Sequence, residues 1–198
     1  MEAELEFFFD YGSPYSYLAN TQLLGLSQRT NCVVKYRPML LGGVFKATGN
    51  RSPAAEPVES KRLYQGVEMQ RWVSHYDVPF FYNPFFPINT LRVMRMAHAA
   101  TQMNVFDKFH ATVFSAMWER GKNLGDIEIL IAELIHAGLD GDSLAKMSEE
   151  ASVKQSLLAT SEEAVRRGAF GAPTFFCGGE MYFGNDRLQF VEKALREE

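Results

Sequence analysis

The sequence predicts an α/β domain in which a small mixed sheet is interrupted by a large all-helical insertion, set between an N-terminal βαβ part and a C-terminal αββα part. Three observations predict it. Strand patterns occur only at the two ends of the chain. Between them the apolar spacing is helical for about a hundred residues. Neither group of strands can stand alone, because a two-stranded piece is marginal in water, so both must meet in one sheet.

In chain order, Leu5–Asp10 and Cys32–Arg37 are short β-type runs flanking a helix at about Pro14–Gln28, with Pro38 closing the unit. Residues 41–57 are rich in Gly, Pro, Ala and Ser and read as a loop leaving the sheet. A helix follows over Ser60–Tyr76, with Leu63, Val67 and Val73 in register. The proline-aromatic segment Pro79–Pro87 interrupts before a helix that starts near Asn89. The clearest helix is Val105–Trp118, where Phe106, Phe109, Val113, Phe114 and Met117 form one stripe. Ile127, Leu130, Ile131, Leu134 and Ile135 repeat that spacing, and Gly138 can end the helix in a left-handed cap. A helix over Ser152–Arg167 stops at Gly168. Strands return at Pro173–Cys177 and Glu180–Phe183 around a Gly178-Gly179 turn, and Asp186–Arg196 makes a final helix. The division is residues 1–45 and 152–198 for the sheet domain and 46–151 for the inserted helical subdomain. This is the layout of a thioredoxin-like fold with a helical insertion.

Bulk properties exclude several function classes. The 198 residues suffice for a good core. A net charge of −4 with scattered basic residues argues against a nucleic-acid surface. No apolar run approaches the roughly 20 residues that span a bilayer, so no membrane partner is expected. Glu2, Glu4 and Glu6, with no basic start, argue against a signal or transit peptide. Cys32 and Cys177 lie in predicted strands, do not form C-x-x-C, and read as small buried hydrophobes in a reducing, cytoplasmic setting.

The segment Phe7-Phe8-Phe9-Asp10-Tyr11-Gly12-Ser13-Pro14 is a buried strand, a turn and a helix start. Ser13 suits the N-cap and Pro14 the first helical position. Such a polar helix N-terminus favours negative charge, so the Ser13 hydroxyl could hold an anion, a thiolate among the candidates. A plain helix start is the other reading. Ala172-Pro173-Thr174 opens a strand with proline, which an ordinary strand boundary tolerates. In thioredoxin-like folds, however, a cis-proline stands here and faces the first helix.

These segments resemble the 2-hydroxychromene-2-carboxylate isomerases, relatives of kappa-class glutathione transferases within the DsbA-type thioredoxin superfamily. The matching pieces are Phe9–Leu18, then Tyr36-Arg37-Pro38 with Leu41-Gly42-Gly43-Val44-Phe45, then Gly168–Phe175 and Phe183–Leu188. Their order and spacing run from near the first residue to near the last. The resemblance implies that Ser13 is the catalytic serine, standing where redox relatives carry the first cysteine of C-x-x-C and donating a hydrogen bond to the glutathione sulfur. Ala172, before Pro173, would exchange backbone hydrogen bonds with the cysteinyl unit of glutathione. Asn185 and Asp186 would hold the γ-glutamyl end, where helix capping is the alternative. Asn50 and Lys61 would meet the glycyl end.

The implied activity is a glutathione-dependent isomerisation of 2-hydroxychromene-2-carboxylate to trans-o-hydroxybenzylidenepyruvate, as in naphthalene catabolism, by reversible thiolate addition to a small aromatic carboxylate. The alternatives are a kappa-like transferase that conjugates small electrophiles and a non-catalytic glutathione-binding protein of the same fold. A disulfide oxidoreductase needs cysteines where Ser13 and Ser16 stand. Family members are often dimers, so a homodimer is an expectation. His110 reads as a packed histidine, and His75, His98 and His136 have no metal-ligand spacing. Phe80, Phe81, Tyr82, Phe85 and Phe86 either cover the insertion's core or wall a pocket for an aromatic substrate. Arg92 and Arg95 either form solvent-exposed pairs or meet a substrate carboxylate.

Overall fold

The computed structural model describes residues 3–197. Strand β1, Glu4–Phe9, is central. It pairs in parallel with β2, Val33–Pro38, and antiparallel with β3, Thr174–Cys177, whose outer neighbour is the antiparallel β4, Glu180–Phe183. The sheet order is β2-β1-β3-β4, so strands from the two ends of the chain do meet. β1 is buried on both faces, which is why it reads as a continuous apolar run rather than an alternating one. Phe7 and Phe9 enter the larger core, where Phe7 stacks on Phe175 at 5.2 Å between ring centroids. Phe8 faces the other side with Met39, Val44, Ala164 and Phe176.

Helix α1 spans Pro14–Thr30 and makes the crossover between the parallel strands. After β2 comes α2, Leu41–Thr48, followed by a short 3-10 turn at Pro53–Ala55. The expected loop over residues 41–57 is therefore half helix. Its start carries no local signal because Leu40, at the N-cap, offers no capping side chain. The first amides are satisfied from elsewhere in the chain, Leu40 N–H by Ser161 Oγ at 2.9 Å and Leu41 N–H by Asp10 Oδ2 at 2.8 Å.

The helical run continues with α3, Glu59–Tyr76; α4, Leu91–Gln102; α5, Phe106–Trp118; α6, Ile127–His136; α7, Gly141–Met147; and α8, Ala151–Arg166. Of these, α7 was not anticipated. Asp140 caps it, accepting from Ser143 N–H at 2.9 Å, and Gly141 lets it close on α6, where a Cβ would lie 2.9 Å from the Ile131 carbonyl oxygen. The larger core runs without a break from Leu5, Phe7 and Phe9 of the sheet to Met94, Phe109, Phe114 and Trp118 of the helices. Gly178 and Gly179 make the β3–β4 turn with positive φ of 55° and 84°. A 3-10 turn, Asn185–Arg187, leads into α9, Leu188–Glu197. Cys32 and Cys177 are both buried. Among the described residues no helix is long and apolar enough to cross a membrane.

Candidate active site

Ser13 sits at the N-cap of α1 in extended backbone conformation, and its Oγ accepts from Ser16 N–H at 3.1 Å. No acidic residue occupies the first turn, so the helix N-terminus keeps its partial positive charge. The same hydroxyl donates to the Ala172 carbonyl at 3.1 Å across 159 residues of sequence. The Ala172-Pro173 bond is cis. The start of the first helix and the segment before the third strand thus face each other through one hydroxyl, and Ser13 is only 4 % exposed.

This pair opens on a half-enclosed cavity of ≈ 500 Å³, within the usual range of small-molecule sites. Asp10, Gly12 and Ser13 form its floor, and Leu41, Gly42 and Phe45 of α2 line one side. Arg62, Gln65, Gly66 and Met69 of α3 line another, a stripe at helical spacing. Tyr82, Phe86, Pro87, Ile88 and Thr90 form an aromatic wall, and Gly171, Ala172 and Phe183 form the far lip. The aromatic cluster divides between core and cavity, with Phe81 and Phe85 exposed. Phe80 lies parallel to Trp118 and Phe86 packs on it, while Tyr82 and Phe86 also face the cavity. Asn83 fixes this loop from beneath, its buried amide donating to Met117 and Lys122 carbonyls at 2.9 Å.

The sequence-derived residues divide. Ser13, Asn50 and Ala172 line the cavity. Asn50 also ties the end of α2 to the far lip, its Nδ2 donating to Phe170 O at 2.8 Å. Pro173 stands behind Ala172 at the start of β3. Asn185 and Asp186 lie beyond the cavity wall, in the turn that packs on α1. Asp186 is close enough to the cavity residue Tyr15 for its charge to help hold that phenol above the ordinary range, after burial. Lys61 is exposed and does not reach this wall; its neighbour Arg62 does. Arg95 pairs with Glu149 at 3.5 Å, and neither Arg92 nor Arg95 lines the cavity.

Asp10 and Thr90 also line the cavity, beyond the residues the sequence points to. The available signal was an acid ending the apolar run Phe7-Phe8-Phe9, an expensive place for a carboxylate. Asp10 is 1 % exposed. Burial raises its carboxyl above the usual range, opposed by hydrogen bonds from Leu41, Gly12 and Thr90 that favour the ionised form. Beneath the turn, Tyr11 is held by three groups. Its carbonyl accepts from Trp118 Nε1 at 2.7 Å, its amide donates to Met94 Sδ at 3.4 Å, and its hydroxyl meets His110 Nδ1 at 2.9 Å. His110 Nε2 meets Asn20 Oδ1 at 2.8 Å. An amide oxygen can only accept, so Nε2 carries the proton and the Tyr11 hydroxyl donates to Nδ1. Burial pushes the His110 imidazole down to about 3. It is a packed, neutral histidine.

Among the described residues, two buried side-chain polar atoms have no hydrogen-bond partner: Ser16 Oγ, in the first turn of α1, and Asn185 Nδ2, in the turn packed on that helix.

Residues 4–196 match the model of the DsbA-like thioredoxin domain. A 2-hydroxychromene-2-carboxylate isomerase of Pseudomonas putida is 32 % identical over 202 residues, covering 96 % of this chain and 93 % of that protein. The glutathione S-transferase kappa 1 of Rattus norvegicus is 28 % identical over 98 % of this chain and 91 % of its own length. A solved structure of a 2-hydroxychromene-2-carboxylate isomerase superposes with a TM-score of 0.85 at 30 % identity, covering 98 % of this chain and 95 % of that one.

Proposed function

The chain belongs to the DsbA-like thioredoxin family and, within it, to the 2-hydroxychromene-2-carboxylate isomerases, and on that premise we propose that it is a glutathione-dependent isomerase of 2-hydroxychromene-2-carboxylate or a close aromatic analogue. The observation that carries this reading is the Ser13 hydroxyl, placed at a helix N-terminus, opposite the residue before cis-Pro173, on the floor of an aromatic-walled cavity.

The residues present fit glutathione. Ser13 can turn its proton from Ala172 O to a sulfur, and with the α1 N-terminus it favours the thiolate. Ala172 offers its backbone beside Ser13. Asn185 Nδ2 and Ser16 Oγ, both buried and unpartnered, suit the polar γ-glutamyl end, with Asp186 nearby for its ammonium. Asn50 and the Arg62 guanidinium stand on the walls for the glycyl carboxylate, and Lys61 is one residue off that stripe. Glutathione supplies, when bound, a thiol that as thiolate adds to a double bond conjugated with a carbonyl and leaves once that bond has turned, so it is required without being consumed. The chain's own contribution is to hold the charge of the sulfur at Ser13 and to keep water from the reacting carbons with Phe45, Tyr82, Phe86 and Ile88. Phe86 and Tyr82 offer ring faces to a bicyclic aromatic acid.

We place the protein in a reducing compartment, the cytoplasm, where a free thiol ligand and buried cysteines both persist. The test is the absorbance of the chromene acid with enzyme, with and without glutathione. Turnover that needs glutathione and leaves its concentration unchanged supports the reading. Turnover without any thiol overturns it. Stoichiometric loss of glutathione would instead fit a conjugating transferase, the activity named for the rat kappa relative.

A further inference from the structure

We propose that Asp10 is a positioning residue, its carboxylate fastening two walls of the cavity to the Ser13 turn and so setting the place of the electrophile; this rests on the functional reading above. The carboxylate binds three donors from three separate stretches of chain. Oδ1 accepts from Gly12 N–H at 2.8 Å, and Oδ2 accepts from Leu41 N–H at 2.8 Å and from Thr90 Oγ1 at 3.0 Å. Each donor is an entry point to the site. Gly12 precedes Ser13. Leu41 begins α2, which brings Leu41, Gly42 and Phe45 to the cavity. Thr90 ends the segment that brings Phe86, Pro87 and Ile88.

Two details separate this from ordinary satisfaction of a buried acid. Thr90 is the N-cap of α4, where a threonine hydroxyl ordinarily bonds its own helix, yet it makes no cap bond and turns to Asp10 instead. Leu40, at the N-cap of α2, has no capping side chain, so Asp10 supplies part of that cap from a distant strand end. The fit is also close. A Cβ on Gly12 would lie 2.9 Å from the Thr90 methyl group. A carboxylate is the one side chain of this size that accepts on both oxygens, and an asparagine would set N–H₂ against either the Gly12 or the Leu41 amide. A negative charge on this wall opposes a thiolate at Ser13, so Asp10 acts by placement and not by its field.

Phe45, Phe86 and Ile88 on the tethered walls face the electrophile, while Ser13, Ala172 and Asn185, with Asn50 and Arg62 at the glycyl end, serve the thiol. The experiment therefore separates the two, using the whole protein, with D10N, T90V and T90S. Three quantities are read: glutathione affinity by calorimetry, kcat and KM for the chromene acid at saturating glutathione, and amide exchange at Gly12 and Leu41 by NMR. In D10N, kcat/KM for the chromene acid should fall by about ten-fold or more, the cost of one lost bond to a charged group. Glutathione affinity should fall by clearly less than that, because none of the three Asp10 partners is itself placed against glutathione. One of the two amides should lose about ten-fold in protection. T90V should move kcat/KM the same way by less, and T90S should restore it. If D10N does not fold, the T90V and T90S pair decides. Equal kcat/KM for T90V and wild type, equal loss of glutathione and electrophile recognition in D10N, or unchanged exchange at both amides would each overturn the proposal. Should the wild type fail to turn over the chromene acid at all, the functional reading falls, and the exchange data still decide whether Asp10 holds the walls.

Discussion

Replacing Ser13 by alanine removes two bonds, the acceptor for Ser16 N–H and the donor to Ala172 O. The lost cap costs about 1 kcal/mol of stability, a fall in Tm of about 2–4 °C for a chain of this size. The effect on chemistry is larger. A hydrogen bond to a charged partner is worth about 1.5–3 kcal/mol, and each pKa unit corresponds to about 1.36 kcal/mol. Without the hydroxyl, the thiol of bound glutathione should therefore titrate about one to two units higher. The sign follows from the thiolate being the reactive form. Turnover rises with pH through the bound thiol's pKa, so the rising limb of the Ser13→Ala profile lies at higher pH. At neutral pH its rate is lower by about ten- to one hundred-fold, and part of the deficit is recovered in alkali. The assay pairs an ultraviolet titration of the bound thiolate with the pH dependence of chromene acid isomerisation. Identical titration midpoints in variant and wild type would refute the assignment of thiolate stabilisation to Ser13.

Asn185→Ala removes a buried donor that has no partner in the free protein, so thermal stability should be unchanged or higher while calorimetric glutathione affinity falls by about ten-fold; a parallel loss of both would place Asn185 in the fold alone. Gly12→Ala drives a Cβ to 2.9 Å from the Thr90 methyl and should cost about 1–3 kcal/mol in urea denaturation. His110 titrates at about 3 in the folded chain against 6.5 when unfolded. A lowered histidine pKa means the unfolded state binds the extra proton in that window, so stability is lost as pH falls below 6.5. About 2 kcal/mol should disappear between pH 8 and pH 5, and His110→Gln should lack that component; Asp10, with a raised pKa, acts in the opposite direction and is common to both chains.

The parts of this fold that are legible in the sequence are those whose signals are local. Glu180–Phe183 and its Gly-Gly turn, α1 behind Ser13-Pro14 and the stripe of α5 each announce themselves within a few residues. The thiol side of the site shares that property, since Ser13 sits in its own strand–turn–helix unit. Helix α2 does not. Gly42, Gly43 and Gly49 argue for a loop, and what holds the helix start is Asp10, just past β1, and Ser161 from α8. Arg62 in place of Lys61 on the wall is a matter of helical register: one residue turns a side chain about 100° around the axis, and tertiary ties, the packing of α3 on α1 and the Tyr76 hydroxyl on Asn185 O, fix that angle.

This split has a physical consequence for how such a site diversifies. In the proposed site the thiol side is built from the Ser13 turn and the segment before β3, joined by the Ser13–Ala172 bond. On that reading, changes there act on the sulfur itself. The electrophile side draws Phe45 from α2, Met69 from α3 and Tyr82, Phe86 and Ile88 from the aromatic loop, and Asp10 joins α2 and the end of that loop to the Ser13 turn. Substitutions at Phe45, Met69, Tyr82 or Ile88 can therefore alter the shape offered to the electrophile while Asp10 keeps the wall where it is. Swapping Tyr82→Phe should leave glutathione affinity and the thiol titration unchanged and alter only the KM for the aromatic acid. A shift in the thiol titration with that variant would show that the two sides are not separable and that Asp10 transmits changes in the wall to Ser13.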